Sequence, residues 1–284
     1  MNEQAVSADP LAILVDGLPD GCVNASDRGL HYGDGLFETL AIVNGTLSYW
    51  DRHYTRLALG CERLGFPRPE ESLLLKEAHG CRNGVQRGVL KLILTRGIGT
   101  RGYRAAIPAM PTRIWALYAW PQYPQHYWQC GITVRLCTTR LARNRSLAGV
   151  KHLNRLEQVL ARSEWDDPAI AEGLMLDTAG FLTEGTMSNV FLVRGRELFT
   201  PDLSVAGVCG IMRGVIIEAA KRLGVETRVK AMRLNELWCA DHAFVCNSVI
   251  GIWPIAEVIA RRKRLFEAGH LVREIALSRE THID

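Results

Sequence analysis

Lysine is scarce in this chain, with six against 28 arginines, so each lysine can be weighed as a nucleophile. An amine that attacks a carbonyl must lose its charge, and burial beside apolar groups favours the neutral form. Lys76 and Lys221 fall on polar faces of predicted helices, Lys230 ends a strand, Lys263 belongs to a charge run, and Lys91 lies in a strand beside aliphatic residues. Lys151 differs: it follows the short apolar run Leu147-Ala148-Gly149-Val150 immediately before a predicted helix. That approach could desolvate its ammonium, although position alone favours the plainer reading of a helix-start lysine reaching water. Glu184 lies in the polar, small-residue stretch from Leu182 to Phe191, read as a loop between two strands. Such a loop can present a carboxylate to a cleft or simply expose it on a bulged hairpin. Gly207 to Arg213 reads as a glycine-flanked turn into a helix, which aims free N–H groups and the positive end of the helix dipole at an anion. Asn247-Ser248, directly after a strand, could add amide and hydroxyl donors to the same anion or form an ordinary turn.

The composition agrees with small-molecule chemistry. The net charge of +4 is mild, and the one dense basic run, Arg261-Arg262-Lys263-Arg264, reads as a solvated helix end or turn and not as a nucleic-acid stripe. Arginine suits forked recognition of carboxylate or phosphate, which points to an anionic substrate. Eight cysteines form no C-x-x-C pair and several sit in apolar runs, as in reduced cytosolic proteins. The histidines show no metal-ligand spacing, so no metal is expected. Without a signal-like N-terminus or an apolar stretch long enough to span a bilayer, the expected place is the cytoplasm, away from membranes.

These residues need a scaffold. Strands are predicted over 11–15 and 36–43, a hairpin turn at Asn44-Gly45, and a further strand over 46–49. A helix capped by Asp51 runs to Leu64 with Gly65 as its stop, and a second covers 70–82. Strands over 88–95 and 113–119 complete a smaller α+β domain, residues 1–119. The proline-bearing segment 120–125 reads as the interdomain linker, and 126–284 as a larger domain. There the pattern gives strands near 132–137, 190–193, 225–229 and 243–246, a hairpin over 173–182, and helices over 153–165, 211–223 and 265–277.

Taken in order, several segments resemble the class IV aminotransferase family, the branched-chain and D-amino-acid aminotransferase fold group. They are Asp27-Arg28-Gly29 with Tyr32-Gly33-Asp34-Gly35-Leu36-Phe37-Glu38, then Arg52-His53 with Arg56-Leu57, and Val150-Lys151-His152-Leu153-Asn154. Thr183-Glu184-Gly185 through Asn189-Val190-Phe191, Gly210-Ile211-Met212-Arg213 and Asn247-Ser248 follow. The resemblance covers nearly the whole chain and implies a two-domain α+β / α/β fold, the second domain binding pyridoxal 5'-phosphate. It implies that Lys151 carries the cofactor covalently, that Glu184 bonds its ring nitrogen, and that Arg56, the backbone at Ile211 and Met212, and Ser248 hold its phosphate. A homodimer with part of the substrate site donated by the partner is implied too.

Two segments, Thr95 to Tyr103 and Leu147 to Gln158, look most like the lyase members that convert 4-amino-4-deoxychorismate to 4-aminobenzoate and pyruvate for folate synthesis. That small dicarboxylate would suit Arg96 and Arg101 on their glycine-rich loop as a clamp, whereas a plain surface loop would turn both to water. A class IV transaminase of branched-chain or D-amino acids is the alternative. A noncatalytic anion-binding protein would keep the glycine-helix turn without needing Lys151 and Glu184.

Overall fold

A computed structural model of the chain describes residues 9–105, 107–259, 263–264 and 270–280. It forms two compact units, Met1–Gln122 with Val150–Asn154, and Tyr123–Gly149 with Arg155–Asp284. The first break falls inside the segment 120–125. The later stretch departs from an unbroken second domain, because Val150–Asn154 belongs to the first unit.

In the first unit, β1 (Ala12–Val15), β2 (Gly35–Val43), β3 (Thr46–Leu47), β4 (Gly88–Thr95) and β5 (Arg113–Ala119) make an antiparallel sheet in the order β1-β5-β4-β2-β3. Asn44 and Gly45 take φ of 50° and 74°, the positive values a tight hairpin between β2 and β3 requires. Three helices accompany the sheet: α1 (Arg28–Tyr32), α2 (Trp50–Leu64) and α3 (Glu71–Arg82). Leu57 and Cys61 of α2, with Leu74 and Ala78 of α3, bury against Leu40, Ile42, Leu90, Leu92 and Trp115 of the sheet. Gly65 ends α2 in the left-handed region, as its sequence position indicates. The start differs from expectation. Tyr49 precedes α2 without a side-chain cap, and Asp51 sits in the first turn, where a carboxylate still meets the positive end of the helix.

The second unit holds α4 (His126–Gln129), β6 (Ile132–Leu141), α5 (Leu156–Arg162), β7 (Ile170–Asp177), β8 (Phe181–Gly185), β9 (Asn189–Arg194), β10 (Glu197–Pro201) and α6 (Ile211–Arg222). Then come β11 (Glu226–Lys230), β12 (Met232–Arg233), α7 (Leu234–Trp238), β13 (His242–Asn247), β14 (Gly251–Val258), β15 (Lys263–Arg264) and α8 (His270–Glu280). Among the described residues its sheet runs β11-β10-β9-β13-β14-β6-β7-β8-β12, with β15 on β14. Trp253, fully buried, takes the edges of Tyr123, Tyr127 and Trp128. No helix among the described residues is long and apolar enough to cross a membrane.

Two corrections bear on the site. The helix expected over 153–165 is only α5, so Lys151 stands in an extended segment well ahead of it. The cause is β pairing: Phe37 N–H donates to the Lys151 carbonyl at 3.0 Å, and Leu153 N–H to the Gly35 carbonyl at 2.9 Å. Glu184 lies within β8 rather than in a loop, its register opposite Met175 of β7. Of the terminal helix expected over 265–277, residues 265–269 lie outside the described residues, as do Arg261 and Arg262 of the basic run.

Candidate active site

In the first unit the extended stretch at Lys151 lies along β2. Lys151 places Nζ 4.1 Å from the centroid of the Phe37 ring, a face that attracts a cation and offers its stem an apolar wall. The same unit holds a charge network between β2 and α2, centred on the buried Glu38. Arg56 donates Nε to Glu38 Oε1 at 2.8 Å and Nη2 to Oε2 at 2.5 Å, and His53 Nδ1 bonds Glu38 Oε2 at 2.6 Å. Burial alone would raise the Glu38 carboxyl, but the Arg56 charge and the bonds from His53 and Arg56 bring it down to about 2. Burial pushes His53 below its ordinary value; its bond to Glu38 opposes that shift, while the charges of Arg56 and Lys151 assist it. The sequence motifs contained Glu38 and His53 without revealing their role as the mount for Arg56. A carboxylate on a strand and a histidine and arginine three apart on the next long helix was the available signal.

The second unit fixes the carboxylate expected to meet a ring nitrogen. Glu184 is 4% exposed; Gln158 donates to its Oε1 at 3.2 Å and the Val208 N–H to its Oε2 at 2.8 Å. Burial lowers the Arg155 pKa, against the opposing charges of Glu184 and Glu157. Behind β8 the loop 186–188 folds around another carboxylate, Glu172, which sequence reasoning missed. Glu172 is buried and accepts from Thr186 Oγ1 and Ser188 Oγ, both at 2.6 Å, and from the Thr186 N–H at 3.0 Å and the Met187 N–H at 3.2 Å. A carboxylate with this many donors rigidifies the turn that joins β8 to β9.

At the start of α6, Gly210 is the N-cap and makes no side-chain cap bond, and no acidic residue occupies the first turn. The positive helix end at Ile211 and Met212 thus suits an anion. A Cβ on Gly210 would lie 2.0 Å from Asn189 Oδ1, so glycine lets the two segments meet. Asn189 in turn donates Nδ2 to the Val208 carbonyl at 2.9 Å, tying the start of β9 to the helix entry. Ser248 is half-buried in the turn between β13 and β14, a turn pinned by Asn247 Oδ1, which accepts from the N–H groups of Val249 and Ile250 at 2.9 Å each.

The two arginines expected to clamp a dicarboxylate have different fates. Arg101 is exposed on the loop that follows β4. Arg96 is occupied: Nε donates to Asp34 at 2.7 Å, Nη1 to the Gly65 carbonyl at 2.8 Å and Nη2 to the Leu64 carbonyl at 2.7 Å. Its guanidinium satisfies carbonyls at the end of α2, so Arg96 ties the start of its loop to that helix end.

Comparison with known proteins adds to this geometry. The family model for amino-transferase class IV matches residues 35–258. The aminodeoxychorismate lyase of Vibrio harveyi is 32% identical over 262 residues, covering 92% of this chain and 97% of that protein. The crystal structure of 4-amino-4-deoxychorismate lyase from Pseudomonas aeruginosa aligns with a TM-score of 0.90 and 43% identity, over 96% of this chain and 99% of that one. Branched-chain amino acid aminotransferase from Escherichia coli aligns with a TM-score of 0.84 over 97% and 95%, and at 23% identity that likeness concerns the fold.

Proposed function

The chain belongs to the class IV aminotransferase family, and from that premise we propose that it is a pyridoxal-phosphate-dependent lyase converting 4-amino-4-deoxychorismate to 4-aminobenzoate and pyruvate, a step of folate synthesis. The observation that carries the cofactor assignment is Glu184, a buried carboxylate held by two neutral donors in the unit that also presents the uncapped start of α6. A ring nitrogen needs such an acceptor to keep its proton, and a phosphate needs such a helix end. The 43% identity to a solved lyase over nearly its full length supports the lyase reading above the transaminase alternative. A transaminase would use the same residues and release a keto acid derived from an amino-acid substrate.

In this reading Lys151 binds the cofactor aldehyde, Glu184 the ring nitrogen, and Arg56, Ile211 N–H, Met212 N–H and Ser248 the phosphate. When bound, the cofactor supplies an electron sink for the pair released as a C–H bond breaks. Lys151 Nζ would take the proton from the amine-bearing carbon of the substrate. Glu184 holds the ring-nitrogen proton while charge develops. The C–O bond at the neighbouring carbon then breaks, the six-membered ring becomes aromatic, and Lys151 returns its proton to the departing enol, giving pyruvate. Atoms balance without water. Arg101 binds a substrate carboxylate.

Three further features belong to the same proposal. The enzyme is a homodimer, a reading supported by the apolar stripe Leu156, Val159 and Leu160 exposed along α5, with Leu156 75% exposed. The cytoplasm is its compartment, which suits eight cysteines that form no disulfide. Its substrate is a small dicarboxylate. Borohydride reduction of the cofactor-loaded protein followed by peptide mapping tests the assignment: the phosphopyridoxyl group is expected on Lys151, and its recovery on Lys91 or any other lysine would overturn it.

A further inference from the structure

The segments Asp27-Arg28-Gly29 and Tyr32-Gly33-Asp34 take no part in the chemistry above, yet they grip the loop that carries Arg101. Asp27 is buried, caps α1 through Gly29 N–H at 2.7 Å and accepts from Thr95 Oγ1 at 2.9 Å and Thr112 Oγ1 at 2.7 Å. Those threonines flank the loop on both sides, so Asp27 fixes its two ends. Arg28, also buried, reaches the tip. Its Nε donates to Asp34 Oδ2 at 2.8 Å, Nη1 to the Gly102 carbonyl at 3.1 Å and Nη2 to the Tyr103 carbonyl at 2.9 Å. The guanidinium also lies 4.9 Å from the Tyr32 ring centroid, and Tyr32 Oη accepts from Gly102 N–H at 3.3 Å.

Asp34 Oδ2 takes Arg28 and Arg96 together, and Arg96 continues to the end of α2. Burial would raise the Asp34 carboxyl, but the bonds from and charges of these two arginines hold it below its usual value. Closeness is built in as well: a Cβ on Gly99 would stand 2.7 Å from the stem of Arg28, so the loop can lie on that side chain only as glycine. Meanwhile Tyr103 is 87% exposed, touching the Tyr32 ring with centroids 5.5 Å apart, and Arg101 faces solvent.

We propose that Arg28 is a positioning residue for substrate recognition: its planar fork fixes the two carbonyls that follow Arg101 in the chain, so that Arg101 meets a substrate carboxylate in an already ordered loop. This rests on the reading of Arg101 as the substrate's ligand. A lysine cannot replace the fork, because one ammonium on a flexible stem does not span Asp34 and two successive carbonyls with fixed geometry. Preorganisation lowers the cost of ordering the loop on binding, so its loss falls on affinity.

The test uses the cofactor-loaded enzyme and the variants Arg28→Lys and Arg28→Gln, with Asp34→Asn as a milder variant that leaves both carbonyl bonds available. Trypsin cleavage after Arg101 and Arg104, followed by mass spectrometry, reads the loop without any substrate. Steady-state kinetics with aminodeoxychorismate reads recognition. Arg28→Lys is expected to speed cleavage at these two sites by about tenfold or more and to raise KM by about tenfold, with kcat within about twofold of wild type. Asp34→Asn should move both in the same direction by less. Cleavage within about twofold of wild type in both Arg28 variants would overturn the proposal, as would a fall in kcat with KM unchanged, the mark of a general structural role. Faster cleavage with unchanged KM and kcat would overturn the part of Arg28 in recognition, whereas an unchanged kcat/KM in Arg101→Ala would overturn the reading of Arg101 as the substrate's ligand.

Discussion

Glu38 carries a charge in a place where charge is costly, and its neighbours decide that it stays. With its carboxyl brought from the ordinary 4.5 down to about 2, the folded state binds this proton less readily than the unfolded chain. The Glu38 contribution is therefore fully present above about pH 4.5 and drains away as pH falls toward 2. His53, held below its ordinary 6.5, acts in the same direction, since the unfolded chain begins to take up that proton near 6.5. Denaturant midpoints should fall as pH drops below about 6.5 and fall more steeply below about 4.5. Glu38→Gln should make the lower step shallower, with Asp34 and Glu164 keeping their share of it, and cost roughly 3–5 kcal/mol, because it strips Arg56 of its buried carboxylate partner. A wild-type midpoint that is flat between pH 4.5 and 3 would contradict this. The two loop arginines separate by a different pair of measurements. Arg96→Ala should lower stability by about 1–3 kcal/mol through lost carbonyl and Asp34 bonds, while Arg101→Ala should leave the melting temperature alone and reduce kcat/KM about tenfold or more.

Among the elements, α6 makes the sharpest demand on sequence. Its N-cap must be bare for an anion and slim for Asn189, and Gly210 meets both conditions. Gly210→Ala should force Asn189 aside and raise the cofactor dissociation constant, measured by absorbance titration of the cofactor-free protein, by about tenfold or more. An unchanged constant would remove the α6 start from the phosphate site. This helix was legible beforehand, because a glycine-flanked turn followed by apolar periodicity is a local signal, and the Asn44-Gly45 hairpin was legible for the same reason. Lys151 and Glu184 were named from the sequence, but their settings were misread. Residues 150–154 pair with β2, more than a hundred positions earlier, and this long-range pairing displaced the expected helix start. Small polar residues around Glu184 read as a loop although β7 draws it into the sheet. The bonds of Arg96 to the carbonyls of Leu64 and Gly65 were not legible, because those carbonyls become its neighbours only after folding.

For the whole molecule, the expected outcome is a dimer that makes two products in equal amounts. Light scattering of the active enzyme should report about twice the 31.6 kDa of one chain, and full activity in a monomeric species would remove the dimer as a requirement. The central claim is the reaction itself. Incubating the purified, cofactor-loaded enzyme with 4-amino-4-deoxychorismate and quantifying products over time should give 4-aminobenzoate and pyruvate in equal amounts, over many turnovers and without an added keto acid. Absence of 4-aminobenzoate, together with rapid amino transfer from a branched-chain or D-amino acid to an added keto acid, would contradict the account and make the protein a transaminase.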